Sequence, residues 1–358
     1  MKNSILKTIG LAVILSASSC KKDPSINSDN PLYPIIPPNT DCNLDAFKSN
    51  NRTEHYGELY FGTTTPQCTA GPQFRLTGKY SYKNNCVNPR NKNEFAFLRR
   101  ENNMQAGDNS DLCVYNMCSN TLKIIANQVA YSLDWSVKDW IIYTGSDRNL
   151  WKIKSNGDSL TQLTFTGPYN NNAKWNLDGT KYLYAAVASG EGMRISNSDG
   201  TLHKLVLYST TGGIQSWDWL NNEEIIFTFP IPSTATVIKK YNVNTDEVTQ
   251  LQSVSVIGSG HTQLNVVDNT AYFHTSNGSF LPAGLYKLDL LNNNLTLLDT
   301  IYPSYRALFL EPVTSDLILL NRVISDTTGF DSCIVYRKRH LAIFNWKTKE
   351  ERKLQLPE

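Results

Sequence analysis

From about residue 79 onward, short runs rich in Val, Ile, Thr, Tyr, Phe and Trp alternate with tight polar turns. The segment SLDWSVKDWIIYTGSDRNLWKIKSNGDSLTQLT, residues 132–164, shows the plan. Trp135 precedes a turn, and Trp140 to Thr144 form a β-rich run. Leu150 to Ile153 form a second run. After the Asn156-Gly157 turn, Leu160 to Thr164 form a third. β-Branched and aromatic residues between turn signals read as strands. Asn-Gly and Asp-Gly accept the positive φ that tight hairpin turns need. Leu150, Ile153, Leu160 and Leu163 are the expected packing positions. No helical apolar period runs beyond about two turns.

The plan recurs. In AKWNLDGTKYLYAAVASGEGMRISNSDGTLHKLV, Trp175 takes the place of Trp135, and Asp178-Gly179 and Asp199-Gly200 make the turns. In the next stretch Trp219 is the aromatic, Asn221-Asn222 one turn and Asn244-Thr245-Asp246 the other. Trp135, Trp175 and Trp219 lie 40 and 44 residues apart. Weaker copies cover residues 93–125, 262–299 and 306–356, the last with a longer central loop. Each of the roughly six units supplies about four short strands. A four-stranded sheet cannot bury both faces alone, and radial packing of such sheets buries them. The period is that of a β-propeller. The expected fold is therefore all-β, a propeller of about six four-stranded blades, with seven as the alternative. The tryptophans are expected to pack between blades. Asp178, Asp199 and Asp246 are expected to be turn residues and not calcium ligands, which need further oxygen donors at fixed offsets.

The segment LWKIKSNGDSLTQLTFTGPYNNNAKWNLDGTKYLYA, residues 150–185, resembles the repeat of TolB-like β-propellers. Gly157, Leu163, Thr164, Trp175, Asp178, Gly179 and Tyr184 match it. Asn176 and Leu177 stand where Ser-Pro is usual. The likeness covers about residues 79–357. It implies the fold, and by itself no activity, because propellers host many roles.

The chain opens MKNSILKTIGLAVILSASSC. Lys2 and Lys7 form a basic start, Ile9 to Leu15 a short apolar stretch, and Ala17-Ser18-Ser19 a run of small residues before Cys20. The stretch is too short to span a membrane and reads as a secretory signal. It resembles a bacterial lipoprotein signal, with Ser16 where Leu is usual. Cys20 followed by Lys21-Lys22-Asp23 is similar to lipoproteins of Bacteroidota. The resemblance implies acylation (palmitate) of Cys20 and an outer membrane lipoprotein of the cell envelope, on the periplasmic face or the cell surface. Residues 1–19 are then signal peptide, 20–41 a Pro-, Ser- and Asn-rich lipid-anchored tether, and 42–78 N-terminal strands that close the ring or join a seventh blade. The propeller occupies 79–358.

Charge removes one function class. Of 34 Lys and Arg, two lie in the signal, which leaves 32 against 32 acidic residues. A neutral chain lacks the basic field of a nucleic-acid binder. The one compact basic run, Arg337-Lys338-Arg339, reads as the solvated face of a strand or loop. Beyond Cys20 there are six cysteines, and six allow fifteen full pairings. A Cys113–Cys118 bridge would need a bend near Asn116, because five extended steps span about 16 Å. The cysteines up to Cys113 are expected to staple the N-terminal region. There is no C-x-x-C.

Catalytic signatures are sparse. The sequence has no G-x-S-x-G, H-E-x-x-H or P-loop. Its five histidines, His55, His203, His261, His274 and His340, are scattered. His261 and Gln263, in GSGHTQ, are the candidates for lining the central channel. No catalytic residue, metal or cofactor is assigned. The chain is read as a binding or scaffolding module for a protein, peptide or glycan partner, more readily than as an enzyme. The alternative is an envelope carbohydrate-active enzyme, lyase or hydrolase, on the same fold.

Overall fold

The computed structural model describes residues 73–76, 79–102, 110–165, 170–186, 192–207, 214, 216–231, 235–251, 264–275, 284–300, 307–331, 334–354 and 356. All regular structure among them is β. β1 (Gln73–Leu76) stands first. Blade 1 takes β2 (Tyr80–Val87), β3 (Glu94–Glu101), β4 (Ser110–Asn116) and the start of β5 (Thr121–Trp135). Blade 2 takes the end of β5, β6 (Trp140–Gly145), β7 (Leu150–Lys154) and β8 (Thr161–Gln162). β5 serves both: residues from Thr121 to Val129 pair with β4 and residues from Val129 to Trp135 with β6.

Blade 3 is β9 (Asn170–Trp175), β10 (Lys181–Ala186), β11 (Met193–Asn197) and β12 (Lys204–Leu207). Blade 4 is β13 (Ser216–Trp219), β14 (Glu224–Ile231), β15 (Ala235–Asn242) and β16 (Val248–Gln250). Blade 5 is β17 (Leu264–Val267), β18 (Thr270–Thr275), β19 (Gly284–Asp289) and β20 (Asn294–Thr300). Blade 6 is β21 (Ala307–Pro312), β22 (Leu317–Asp331), β23 (Ile334–Asn345) and β24 (Glu350–Lys353). Within each blade, strands consecutive in sequence pair antiparallel.

The first strand of each blade is innermost, and β2, β5, β9, β13, β17 and β21 follow one another around a ring. β21 packs on β2, so blade 6 meets blade 1 directly. The described residues hold six apolar clusters, one at each of the six blade interfaces. The strand period of two explains how one strand feeds two of them. On β3, Phe95 and Phe97 face blade 6, while Ala96 and Leu98 face blade 2. Middle strands therefore read as unbroken apolar runs, as expected of sheets covered on both faces. Trp135, Trp175 and Trp219 are buried in successive interfaces.

The expected turns are present. Asp178 accepts from the Thr180 amide at 2.8 Å and Asp199 from the Thr201 amide at 2.9 Å. Gly200 has φ +85°, and a Cβ there would lie 3.0 Å from the Leu163 carbonyl oxygen of blade 2. The turn glycine thus also permits contact between blades. Gly200→Ala is expected to cost roughly 1–3 kcal/mol through strain and the forced separation. Denaturant titration checks this; an unchanged midpoint would contradict the close approach.

Three expectations are corrected. Leu160 is 55% exposed, because β8 ends the blade and leaves that side chain beyond its neighbours. The longer central loop expected in the last repeat is instead the hairpin of β22 and β23, whose pairing runs far past the blade. Cys86 and Cys113 are free, buried thiols on blade strands and staple nothing. Burial pushes both thiols up, Cys113 to about 12. Cys118 is disulfide-bonded, and its partner lies outside the described residues. β1 pairs in parallel with Ile334–Arg337 of β23, so among the described residues it joins the last blade's hairpin.

Candidate functional site

One position recurs on every innermost strand. It is Cys86 on β2, Asp134 on β5, Lys174 on β9, Asp218 on β13, Asn265 on β17 and Glu311 on β21. Each stands opposite a buried middle-strand residue: Ala96, Ile142, Leu183, Ile226, Tyr272 and Leu319. Four of these strands slip register just ahead of the position. Asn84, Ser132 and Asn172, each two residues before it, have φ of 46°, 38° and 50°. β21 slips between Leu308 and Leu310. A bulge re-aims the residues that follow it. At this level the local fold turns polar side chains toward the channel.

Lys174 ties the ring across its lumen. Its Nζ donates to Asp134 Oδ1 of blade 2 at 3.3 Å and to Asn265 Oδ1 of blade 5 at 3.0 Å. The two aspartates staple neighbouring blades. Asp134 Oδ2 accepts from the Trp175 amide of blade 3 at 2.6 Å. Asp218 Oδ2 accepts from the Val266 amide of blade 5 at 2.8 Å, and its Oδ1 from the Trp219 amide at 2.9 Å. The Trp219 indole donates to the Lys174 carbonyl at 3.1 Å. Glu311 differs: its buried Oε2 has no hydrogen-bond partner among the described residues.

Asp134, Lys174, Asp218 and Glu311 share a recess at the C-terminal ends of the inner strands, closed by Trp135 at the end of β5 and by Lys92 and Leu177 from connecting turns. Burial and crowding of like charge set the protonation states. Burial first, with Asp134 and Asp218 adding to it, raises Glu311 to about 7 against the pull of Lys174 and Lys92. Burial first raises Asp218 to about 6, with Asp134 adding and Lys174 opposing. Lys92 is lowered by burial to about 8. The ring thus holds a carboxyl, Glu311, that changes protonation near neutral pH.

Among the described residues no group of three or more His, Cys, Asp or Glu side chains is placed to hold a metal ion. His203 lies on the exposed rim beside Tyr184, its Nδ1 3.0 Å from the phenol oxygen. His274 and His340 stand on the second strand of blade 5 and the third of blade 6, so neither is on an innermost strand. His261 and Gln263 precede β17 and, like His55 and Cys20, lie outside the described residues. Reading for histidine overlooked a simpler signal. Asp134, Lys174 and Asp218 each stand directly before a repeat tryptophan.

No family model matches the chain, and no curated protein matches it in sequence. Solved structures do match in shape. A protein assigned as TolB from Agrobacterium tumefaciens aligns at TM-score 0.51 with 14% identity, over 67% of this chain and 86% of that one. TolB from Acinetobacter baumannii aligns at TM-score 0.50 with 11% identity, over 62% of this chain and 54% of that one. The fold is a TolB-like β-propeller. An oligogalacturonate lyase in complex with manganese aligns at TM-score 0.49 with 11% identity, over 72% of this chain and 74% of that one. At these identities the TolB-like fold is shared and nothing of the site is carried over.

Proposed function

We propose that this chain is a lipid-anchored cell-envelope propeller that binds or scaffolds a protein, peptide or glycan partner. The state of the channel ring carries the reading. Asp134 and Asp218 have both carboxylate oxygens engaged, by neighbouring backbone amides and by Lys174. Ring groups so engaged hold blades together, which leaves the faces and rim of the propeller for a partner. The anchor rests on residues 1–20, which resemble a lipoprotein signal. The disulfide at Cys118 fits an exported chain.

One observation favours the alternative, a carbohydrate-active enzyme. Glu311 is a carboxyl in a recess, raised to about 7, as a general acid needs. Crosslinking in intact cells followed by pull-down and mass spectrometry tests the first reading. A defined partner is expected, still captured by Glu311→Gln. Sugar-chain cleavage that Glu311→Gln abolishes would replace the binding reading with the enzymatic one. Cys20→Ala is expected to move the protein from the membrane to the soluble fraction. Unchanged membrane retention on cell fractionation would end the lipoprotein reading.

A further inference from the structure

The hairpin of blade 6 does more than complete its blade. β21 pairs with β22 only as far as Arg322, and β24 pairs with β23 only over Ala342–Asn345. Beyond that, residues 323–331 and 334–339 continue as a two-stranded ribbon, and β1 adds a third strand in parallel. The six residues 334–339 of β23 extend the ribbon by roughly 20 Å, with a register shift in β22 between Asp326 and Asp331. β22 runs antiparallel to β21, so the ribbon leaves the end of the ring opposite the charged recess.

Charge is segregated onto this ribbon. Residues 322–339 and β1 together carry Arg75, Arg322, Arg337, Lys338 and Arg339 against Asp326 and Asp331. Five minus two is +3, while the chain from Cys20 on sums to zero, so the remainder carries −3. The register sets Arg75 beside Tyr336 and Leu76 beside Arg337, which brings the N-terminal cation to the basic run. β1 is also where the chain from Cys20 arrives, 53 residues on. Fully extended, that stretch reaches about 180 Å, and β1 is the first described strand that follows it.

We propose that this ribbon is a membrane-contact surface that docks on the anionic phospholipid head groups of the membrane bearing Cys20. The choice of partner follows from charge complementarity and from the entry point of the chain. Clustered Lys and Arg held near a surface are drawn to anionic lipid, and the attraction falls off within a Debye length. The orientation would turn the charged recess and its turns away from the membrane. The placement near a membrane rests on the lipid-anchor reading, but the binding itself does not.

The test uses the full chain carrying Cys20→Ala, which cannot be acylated, and pelletable vesicles of phosphatidylcholine with or without about one third phosphatidylglycerol. Binding to the anionic vesicles is expected at low salt and about tenfold less in 0.5 M NaCl or on pure phosphatidylcholine. Arg337→Glu, Lys338→Glu and Arg339→Glu together should abolish it. The same three positions changed to Gln serve if the reversed variant unfolds, and should weaken binding about tenfold. Lys138, Lys181 and Lys347 lie in or beside the turns at the recess end. Reversing those three should leave binding intact. Equal loss in both triple variants would mean that net charge alone acts, and would overturn the proposal. So would equal pelleting with neutral vesicles. Cell fractionation of Cys20→Ala separately reports on the anchor, so failure of either idea is read without the other.

Discussion

Lys174→Ala is expected to destabilise the propeller by about 3–5 kcal/mol at pH 8, and by clearly less at pH 5. Lys174 is a largely but not fully buried cation whose Nζ reaches Asp134 and Asn265 across the lumen. It also offsets the charge of Asp218 and Glu311. Removing one partner of a buried ionic cluster leaves the others uncompensated, which costs more than the pair contributed. At pH 8 Asp218 and Glu311 both carry charge, so the loss is largest. At pH 5 Glu311, raised to about 7, and Asp218, raised to about 6, are protonated, so two of the charges that Lys174 offsets are gone. Urea unfolding at the two pH values measures this. A loss independent of pH would show that the lysine acts through packing alone.

Glu311→Gln should act with the opposite sign. Its carboxyl titrates near 7 in the fold against an ordinary value of 4.5. Between those values the folded state binds more protons than the unfolded chain, so stability falls as pH rises. The contribution is fully present below about 4.5 and lost by about 7. At 1.36 kcal/mol per pH unit the loss approaches about 3 kcal/mol, an upper bound because the residue is only partly buried. Glutamine does not titrate. The variant should therefore match the parent near pH 4.5 and exceed it by up to about 3 kcal/mol above pH 7. Parallel stability curves for the two proteins from pH 4.5 to 8 would refute the buried-charge account. The gain would also show that Glu311 is held at a cost to stability, which fits a role beyond the scaffold.

The two variants probe different parts of one ring. Asp134 and Asp218 each hand an oxygen to a backbone amide of the following blade, at the interfaces of blades 2 with 3 and 4 with 5. Blade 6 meets blade 1 with Glu311 at that position, one carboxylate oxygen unpartnered. Closure there relies on the cluster around Phe97, Leu319 and Ile343, and on the bond from the Asn321 side-chain Nδ2 to the Tyr82 carbonyl. The stapled aspartates hold neighbouring blades together, while the glutamate at the seam is the carboxyl raised furthest, to about 7 against about 6 for Asp218.

Much of the fold was legible because it is local. Whether Asn156-Gly157 turns the chain depends on backbone sterics within a few residues, and Gly157 does take φ +87°. The alternation along β3 or β6 likewise reports two covered faces before any neighbour is known. Leu160 misled for the same reason. Its apolar spacing promised a partner, but whether an outermost strand is covered depends on what lies beside the blade. The long ribbon of β22 and β23 was missed because residues 322–331 mix Arg, Asp, Ser, Thr and Gly, and their strand form comes from pairing with β23.

The site belongs to the other kind of information. The sequence by itself determined that blades form, where their turns fall, and that a charged residue stands before each repeat tryptophan. Only ring closure decided that Lys174 meets Asn265, 91 residues away, and that Asp134, Asp218 and Glu311 share one small space. Turns follow from the sterics of adjacent residues. The protonation of Glu311 follows from burial and from charges on other blades, which come together only when the last blade packs on the first.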